Sequence, residues 1–462
     1  MPRTCIICGG PTGSREHLFP AALGGRRTNK GIYCSAHNNA YAGLAGIIST
    51  QLAVFNAQLG IVGDHSSVPT SVTLTDVNSG QEIEMSSSQL RFKHPQIRSE
   101  RTEEGKTIVE MAFSSRKEAE EWAAEQKEKG INVEFIDKGR KSRYHLGTAH
   151  KQISLGHTEE GLRSIAYIAQ TFFAHSFPEQ ARSSEMRIIK DYTLNNTAAD
   201  LIWWDFDPPN DLPENKFPFG HRVIVGTDSE HNTAYARISF FSALNFSIIL
   251  ADLPVEVSKA VVTDIDPLAK APPKDIHTSA LNTSLGAVTK PNQLNAGLAD
   301  AISSGKAVAI LNDLMRRITD FERNTAAAKI MEQIESAMAS ASGNTKAVFT
   351  EITLRESQRV LNLMSYLAKD LKNHACDPVR CAMAEYMEQA SKLDPTTENG
   401  LSDHATRSLE IACNSLANQM YQDWKDGKLD HNRVSMLIGG GPGVATIGSA
   451  LLHIFAQRFP DR

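Results

Sequence analysis

The chain has 462 residues, 41% hydrophobic and 22% charged, a balance that excludes a disordered or fibrous protein and suggests about three domains at roughly 150 residues each. Its net charge of −5, from 48 basic and 53 acidic side chains, excludes a protein coated all over by nucleic acid, because such proteins run strongly basic. The charge is uneven: residues 1–60 hold Arg3, Arg15, Arg26, Arg27 and Lys30 against the single acid Glu16, so a small basic head precedes an acidic body.

The opening Met-Pro-Arg-Thr-Cys lacks the apolar run of a secretory signal, and a cytoplasmic location is expected. Cys5, Cys8, Cys34, Cys376, Cys381 and Cys413 are too few for a disulfide scaffold in so long a chain. In a reducing compartment, closely spaced cysteines more often bind metal. Glycines at 9–10 and 24–25 punctuate the head, and from Tyr41 the residues Leu44, Ile48, Leu52 and Phe55 recur at helical spacing. Two short strands and that helix would form a compact ββα unit, too small to fold without a staple.

Further along, Val72–Leu74 and Glu82–Met85 flank Asn78-Ser79-Gly80 as a hairpin would, Thr107–Phe113 alternates as a strand, Ser115–Lys129 is a charged helix and Asn132–Phe135 a further strand. Leu162–Phe173 is a strongly apolar helix. His221–Val225, Ala234–Phe241 and Phe246–Ala251 are β-branched or aromatic runs separated by turn residues, which suits an antiparallel sheet. Residues 266–300, rich in Pro, Asn, Ser and Thr, suggest a linker or irregular connection. Beyond them the apolar stripes Leu311/Leu314/Ile318/Phe321, Val360/Met364/Leu367/Leu371 and Leu409/Cys413/Leu416/Met420 are helical in period. The expected architecture is therefore α+β: a module over 1–60, an α+β domain over 61–265, a connection over 266–300 and a helical domain over 301–462.

Val434–Ala456 carries no Asp, Glu, Lys or Arg and is long enough for a bilayer. Its five glycines, Pro442 and His453 favour a buried, Gly-broken helical hairpin, and no membrane is expected. No Gly-Lys-Ser/Thr follows Gly439-Gly440-Gly441-Pro442-Gly443, so a phosphate loop is disfavoured. Cys376 and Cys381 read as core thiols, and Asp205 and Asp207 as a strand end and turn.

Cys5-Ile-Ile-Cys8 and Cys34-Ser-Ala-His37 are two ligand pairs of identical spacing. Three thiolates and one imidazole complete a tetrahedral structural zinc site, the staple the small unit needs.

Between and just after the pairs stand Glu16-His17-Leu18-Phe19-Pro20, Leu23-Gly24-Gly25, Asn29 and Asn38-Asn39. In this order the head resembles the zinc-bearing branch of the HNH (ββα-metal) endonucleases, over residues 3–56. Two positions depart from that branch: His37 stands where cysteine is usual, and asparagine replaces the final histidine. The resemblance implies His17 as general base at the end of the first strand, Asn29 as the residue that holds it by hydrogen bonding, and Glu16 with Asn38 (or Asn39) as ligands of a catalytic magnesium or manganese ion. Neutral imidazole suits deprotonation of water near neutral pH, and a hard divalent ion suits oxygen donors and a scissile phosphate. Arg15, Arg26, Arg27 and Lys30 would grip phosphates.

The expectation is a metal-dependent DNA endonuclease. The middle region also resembles segments that accompany N-terminal HNH units in bacterial proteins, which suggests phage defence by analogy. The competing expectation is a noncatalytic, zinc-stapled, treble-clef DNA-binding or scaffolding protein. The uncharged C-terminal segment suits close helix packing between chains, and a homo-oligomer is expected.

Overall fold

A computed structural model gives the structure of residues 4–77, 80–87, 89–101, 107–131, 144, 149–150, 158–197, 200–209, 212–269, 276–283, 285, 288, 294–340, 345–374, 377–394, 396–397 and 399–460. The predicted strand Asn132–Phe135 and Cys376 lie outside the described residues. The chain opens with an antiparallel pair, β1 (Glu16–His17) and β2 (Thr28–Asn29), then helices α1 (Ser35–Gln51) and α2 (Ala53–Leu59). Short strands follow: β3 (Val72–Asp76), β4 (Glu82–Ser86), β5 (Gln89–Phe92), β6 (Gln96–Arg101) and β7 (Thr107–Ala112), then α3 (Arg116–Glu128) and β8 (Ala149–His150). Next come α4 (Glu159–Ser176), α5 (Arg187–Asn195), β9 (Ile202–Trp204), β10 (His221–Asp228), β11 (Thr233–Phe240), β12 (Leu244–Asp252), β13 (Lys259–Ile265) and β14 (Ile276–Leu281). The remainder is helical: α6 (Leu294–Ser303), α7 (Lys306–Ser340), α8 (Thr345–Arg355), α9 (Ser357–Asn373), α10 (Pro378–Ser391), α11 (Asp403–Lys425), α12 (His431–Gly439) and α13 (Gly441–Arg458).

Two compact units divide this α+β chain, one comprising residues 1–74, 83–91 and 151–318, the other 75–82, 92–150 and 319–462. These boundaries differ from the expected ones at 60/61, 265/266 and 300/301. The head does not stand apart as a module, because its apolar face is completed by α4 and the sheet behind it. Part of the expected linker is also strand: β14 pairs with β13 from Ile276↔Ile265 to Leu281↔Ala260.

In the first unit the antiparallel sheet runs β14-β13-β10-β11-β12-β9, and α4 packs across β10, β11 and β12. Ile165, Ile168, Phe172 and Phe173 of α4 are buried, as the apolar run predicts. Thr158 caps the helix by accepting from Gly161 N at 3.1 Å. Helix α1 lies on α4, and a buried polar network joins them: Gln170 Nε2 donates to Tyr33 Oη (3.1 Å), Thr193 Oγ1 donates to Gln170 Oε1 (3.0 Å), and Tyr41 Oη meets Thr193 Oγ1 (3.2 Å). Arg222 and Asp264 form a buried ion pair at 2.6 Å. Asp205 ends β9 bonded to Arg237 and Ser247, while Asp207 sits exposed in the following turn beside Lys306, so neither is arranged as a catalytic pair.

His221 begins β10 fully buried, its ring 4.9 Å from that of Phe19 and 4.7 Å from that of Phe241. Burial pushes the imidazole down to about 3, against about 6.5 in an unfolded chain. A depressed histidine means that the unfolded state binds the extra proton, so stability is intact above about pH 6.5 and falls as pH drops towards 3. Between about pH 7 and about pH 5 this linkage should cost about 2 kcal/mol. Urea midpoints at those two pH values should fall further in the wild type than in His221→Phe. Parallel slopes would show that His221 does not carry the effect.

The second unit contains the antiparallel pair β6-β7 and a helical core. Ile330 and Ile334 of α7, Phe349 of α8, Met364 of α9, Leu409, Cys413 and Leu416 of α11, Leu437 of α12 and Leu451 and Phe455 of α13 are buried in one cluster. Burial pushes the Cys413 thiol up to about 12; Cys381 is half-buried on α10. The uncharged segment is α12 and α13 bent by 54° at Gly440, a bent pair rather than the expected hairpin. Gly443 permits the bend, because a Cβ there would lie 2.0 Å from the Leu437 carbonyl oxygen. Among the described residues no single helix is long and apolar enough to cross a membrane.

Candidate functional site

Residues 4–11 form a tight knuckle: Thr4 bridges Pro11, Cys5 N donates to Gly10 O (2.8 Å) and Gly9 N to Cys5 O (2.9 Å). The second ligand pair comes from the start of α1, where Cys34 is the N-cap residue and His37 lies in the first turn. Ile6 N donates to Ile32 O at 3.0 Å, and Arg182 Nη2 donates to both Thr4 O (2.6 Å) and Gly31 O (2.8 Å). One guanidinium thus ties the two approaches to the site together.

The donor atoms of Cys5, Cys8, Cys34 and His37 all lie within 4.8 Å of one another. Cys5 Sγ is 3.6 Å and Cys34 Sγ 3.1 Å from His37 Nδ1, and the sulfurs of Cys8 and Cys34 are 4.0 Å apart. Zinc bonds of about 2.3 Å to sulfur and about 2.0 Å to nitrogen place tetrahedral donors roughly 3.5–3.8 Å apart, so the set fits. The Cys34 thiol is pulled down to about 6, first by the backbone N–H of His37 and further by its ring, which favours the ligating thiolate. This group can hold a metal such as zinc.

His17 sits on β1 opposite Thr28, its side chain 19% exposed and its Nε2 3.1 Å from Asp64 Oδ2. That hydrogen bond, ahead of smaller contributions from His65 and Arg26, holds the Asp64 carboxyl below its usual range. The carboxylate is an acceptor, so it is Nε2–H of His17 that donates to it. Asp64 is steered in turn by Arg26 Nη1 on Oδ1 (3.3 Å) and by its own N–H on Ala21 O (3.3 Å). The ring of exposed His65 stands edge-on to His17, centroids 5.1 Å apart. His17, Asp64 and His65 form a second group whose donor atoms lie within 4.8 Å of one another.

Successive side chains on a strand point to opposite faces, and Glu16 accordingly points inward. It is buried, accepts from the Tyr167 hydroxyl, and its carboxyl is pushed up to about 7 by burial. The expected role of Glu16 as ligand beside His17 is corrected: its carboxylate belongs to the interface with α4. Asn29 also differs. Its Oδ1 accepts from Gly31 N (2.7 Å) and its Nδ2 donates to His175 Nδ1 (2.8 Å), so it fastens the exit of β2 to α4 instead of holding His17. Asn38, in the first turn of α1, keeps Oδ1 shielded from solvent without a hydrogen-bond partner, whereas Asn39 is exposed.

Arg15, Arg27 and Lys30 are exposed. Arg26 is corrected as a phosphate contact: its side chain is 9% exposed and its guanidinium serves Asp64, Val62 O (3.3 Å) and Ala269 O (3.1 Å). Gly25 lets the loop between the strands close, because a Cβ there would sit 2.1 Å from the Phe19 carbonyl oxygen. Sequence reasoning missed Asp64, His65, Tyr167 and Arg182. The available signal was Gly63-Asp64-His65, a polar turn shortly after the apolar helical stretch that begins at Tyr41.

Comparison with family models, with curated proteins and with solved structures finds no match to this chain.

Proposed function

We propose that the head is a zinc-stapled ββα-metal module that hydrolyses DNA phosphodiester bonds, with His17 as general base. The observation that carries this reading is the 3.1 Å pairing of His17, on β1, with Asp64, in the turn after α2. A carboxylate on Nε2–H orients the ring and leaves Nδ1 to take a proton from water. The order β1, β2, α1 with the Cys5/Cys8/Cys34/His37 group at its foot agrees with such a module, and exposed Arg15, Arg27 and Lys30 supply cations for the phosphate backbone. A bound magnesium or manganese ion would neutralise the scissile phosphate and steady the leaving oxygen. The donor on α1 suited to it is Asn38 Oδ1, already desolvated and unpartnered; Glu16 is engaged by Tyr167.

Purified protein carrying its zinc should cut supercoiled plasmid in magnesium and stop when EDTA is added. Retention of DNA without cleavage in either magnesium or manganese would reassign the head to binding alone.

A further inference from the structure

Two imidazoles and one carboxylate converge at the surface of the first unit, and two of the three, Asp64 and His65, lie outside the stretch that resembles a nuclease motif. We propose that His17, Asp64 and His65 form a second divalent-ion site, distinct from the cysteine-rich one, that takes a transition ion of the zinc, cobalt or nickel class.

The geometry suits this. His17 Nε2 and Asp64 Oδ2 are 3.1 Å apart, the separation of adjacent donors that each bond one ion at about 2.0–2.2 Å. His65 brings a second nitrogen within 4.8 Å of both. Arg26 occupies the other oxygen of Asp64 at 3.3 Å and is itself anchored to the Val62 and Ala269 carbonyls. The carboxylate is therefore oriented by an outer contact and still presents Oδ2. The site is reachable, with the His17 and Asp64 side chains 19% and 25% exposed and His65 exposed. Water or a phosphate oxygen can fill the remaining positions. Imidazole-rich donor sets select zinc, cobalt and nickel, whereas magnesium prefers oxygen donors and keeps its waters.

Occupancy and general-base action at His17 exclude each other. As a base, His17 carries its proton on Nε2, bonded to Asp64, and offers the Nδ1 lone pair. As a ligand it gives the Nε2 lone pair to the ion, and the proton resides on Nδ1. A bound transition ion would thus silence cleavage that magnesium supports. The ion site stands on geometry alone, while this inhibition rests on the nuclease reading.

Cobalt(II) chloride titrated by calorimetry into full-length protein with its zinc retained, without nucleic acid, tests the site. The wild type should bind one cobalt per chain, and a large excess of magnesium should not displace it. His65→Ala, at an exposed position, and Asp64→Asn should each weaken binding by about tenfold or more with zinc content unchanged. Failure of the wild type to bind cobalt, or variants that bind as the wild type does, would overturn the site. In a separate arm, zinc chloride should suppress magnesium-dependent plasmid cleavage in step with occupancy; full cleavage at full occupancy would overturn the inhibition. Cobalt binding with no cleavage under any condition would fail the nuclease reading and leave the ion site standing.

Discussion

Replacing His17 with alanine should lower magnesium-dependent plasmid cleavage by about 10²–10⁴-fold, the usual effect of removing a general base. The side chain has no part in the cysteine-rich group, and its contacts run to Asp64 and His65. Zinc content and DNA retention should therefore match the wild type. Asp64→Asn should also cut slowly, because an amide can donate to Nε2 and turn the ring into the tautomer that offers no lone pair at Nδ1. Wild-type rates in His17→Ala would remove His17 from the reaction.

Loss of the cysteine-rich ion should have the largest effect on stability. In Cys5→Ser/Cys8→Ser, bound zinc should fall from about one per chain to none, and the first unit should lose more than about 4 kcal/mol, the range in which loss of a structural metal is diagnostic. The knuckle's backbone bonds and the Arg182 contacts to Thr4 O and Gly31 O join its two approaches, but a metal would be the tie that links all four ligand side chains. Amide exchange at Ile6, Gly9 and Asn38 should rise first. Full zinc content in the double variant would exclude Cys5 and Cys8 as ligands.

The two ligand pairs were legible because each is local: a spacing of three residues brings two donors together whatever the rest of the chain does. The helices of the C-terminal half were legible for a related reason, since stripes such as Val360/Met364/Leu367 report a buried face directly. Periodicity does not say what covers that face, which is why the compact units do not divide at residue 60. Tyr33 and Tyr41 find their polar partners on α4 and α5, more than a hundred positions on. Glu16 was expected as a metal ligand because its place beside His17 matches the resembling motif, and Tyr167, which engages it in the structure, lies 151 positions away. Asp64 escaped for the same reason at a separation of 47 residues. Strand β14 was hidden by composition: Pro272-Pro273 and the surrounding polar residues outweighed the alternation of Ile276–Leu281.

The sharing of one core between the head and α4, α5 and β10–β11 also bears on how the protein is made. Phe19 rests on Phe172, His221 and Phe240, and Phe55 on Phe241, so a nascent chain emerging from the ribosome has every residue of the resembling stretch long before it has the surfaces that bury them. Closing contacts of such sequence separation is slow. Translation up to about residue 241 therefore precedes a complete head, and a polypeptide stopped short of that point carries the motif without the scaffold that orders it.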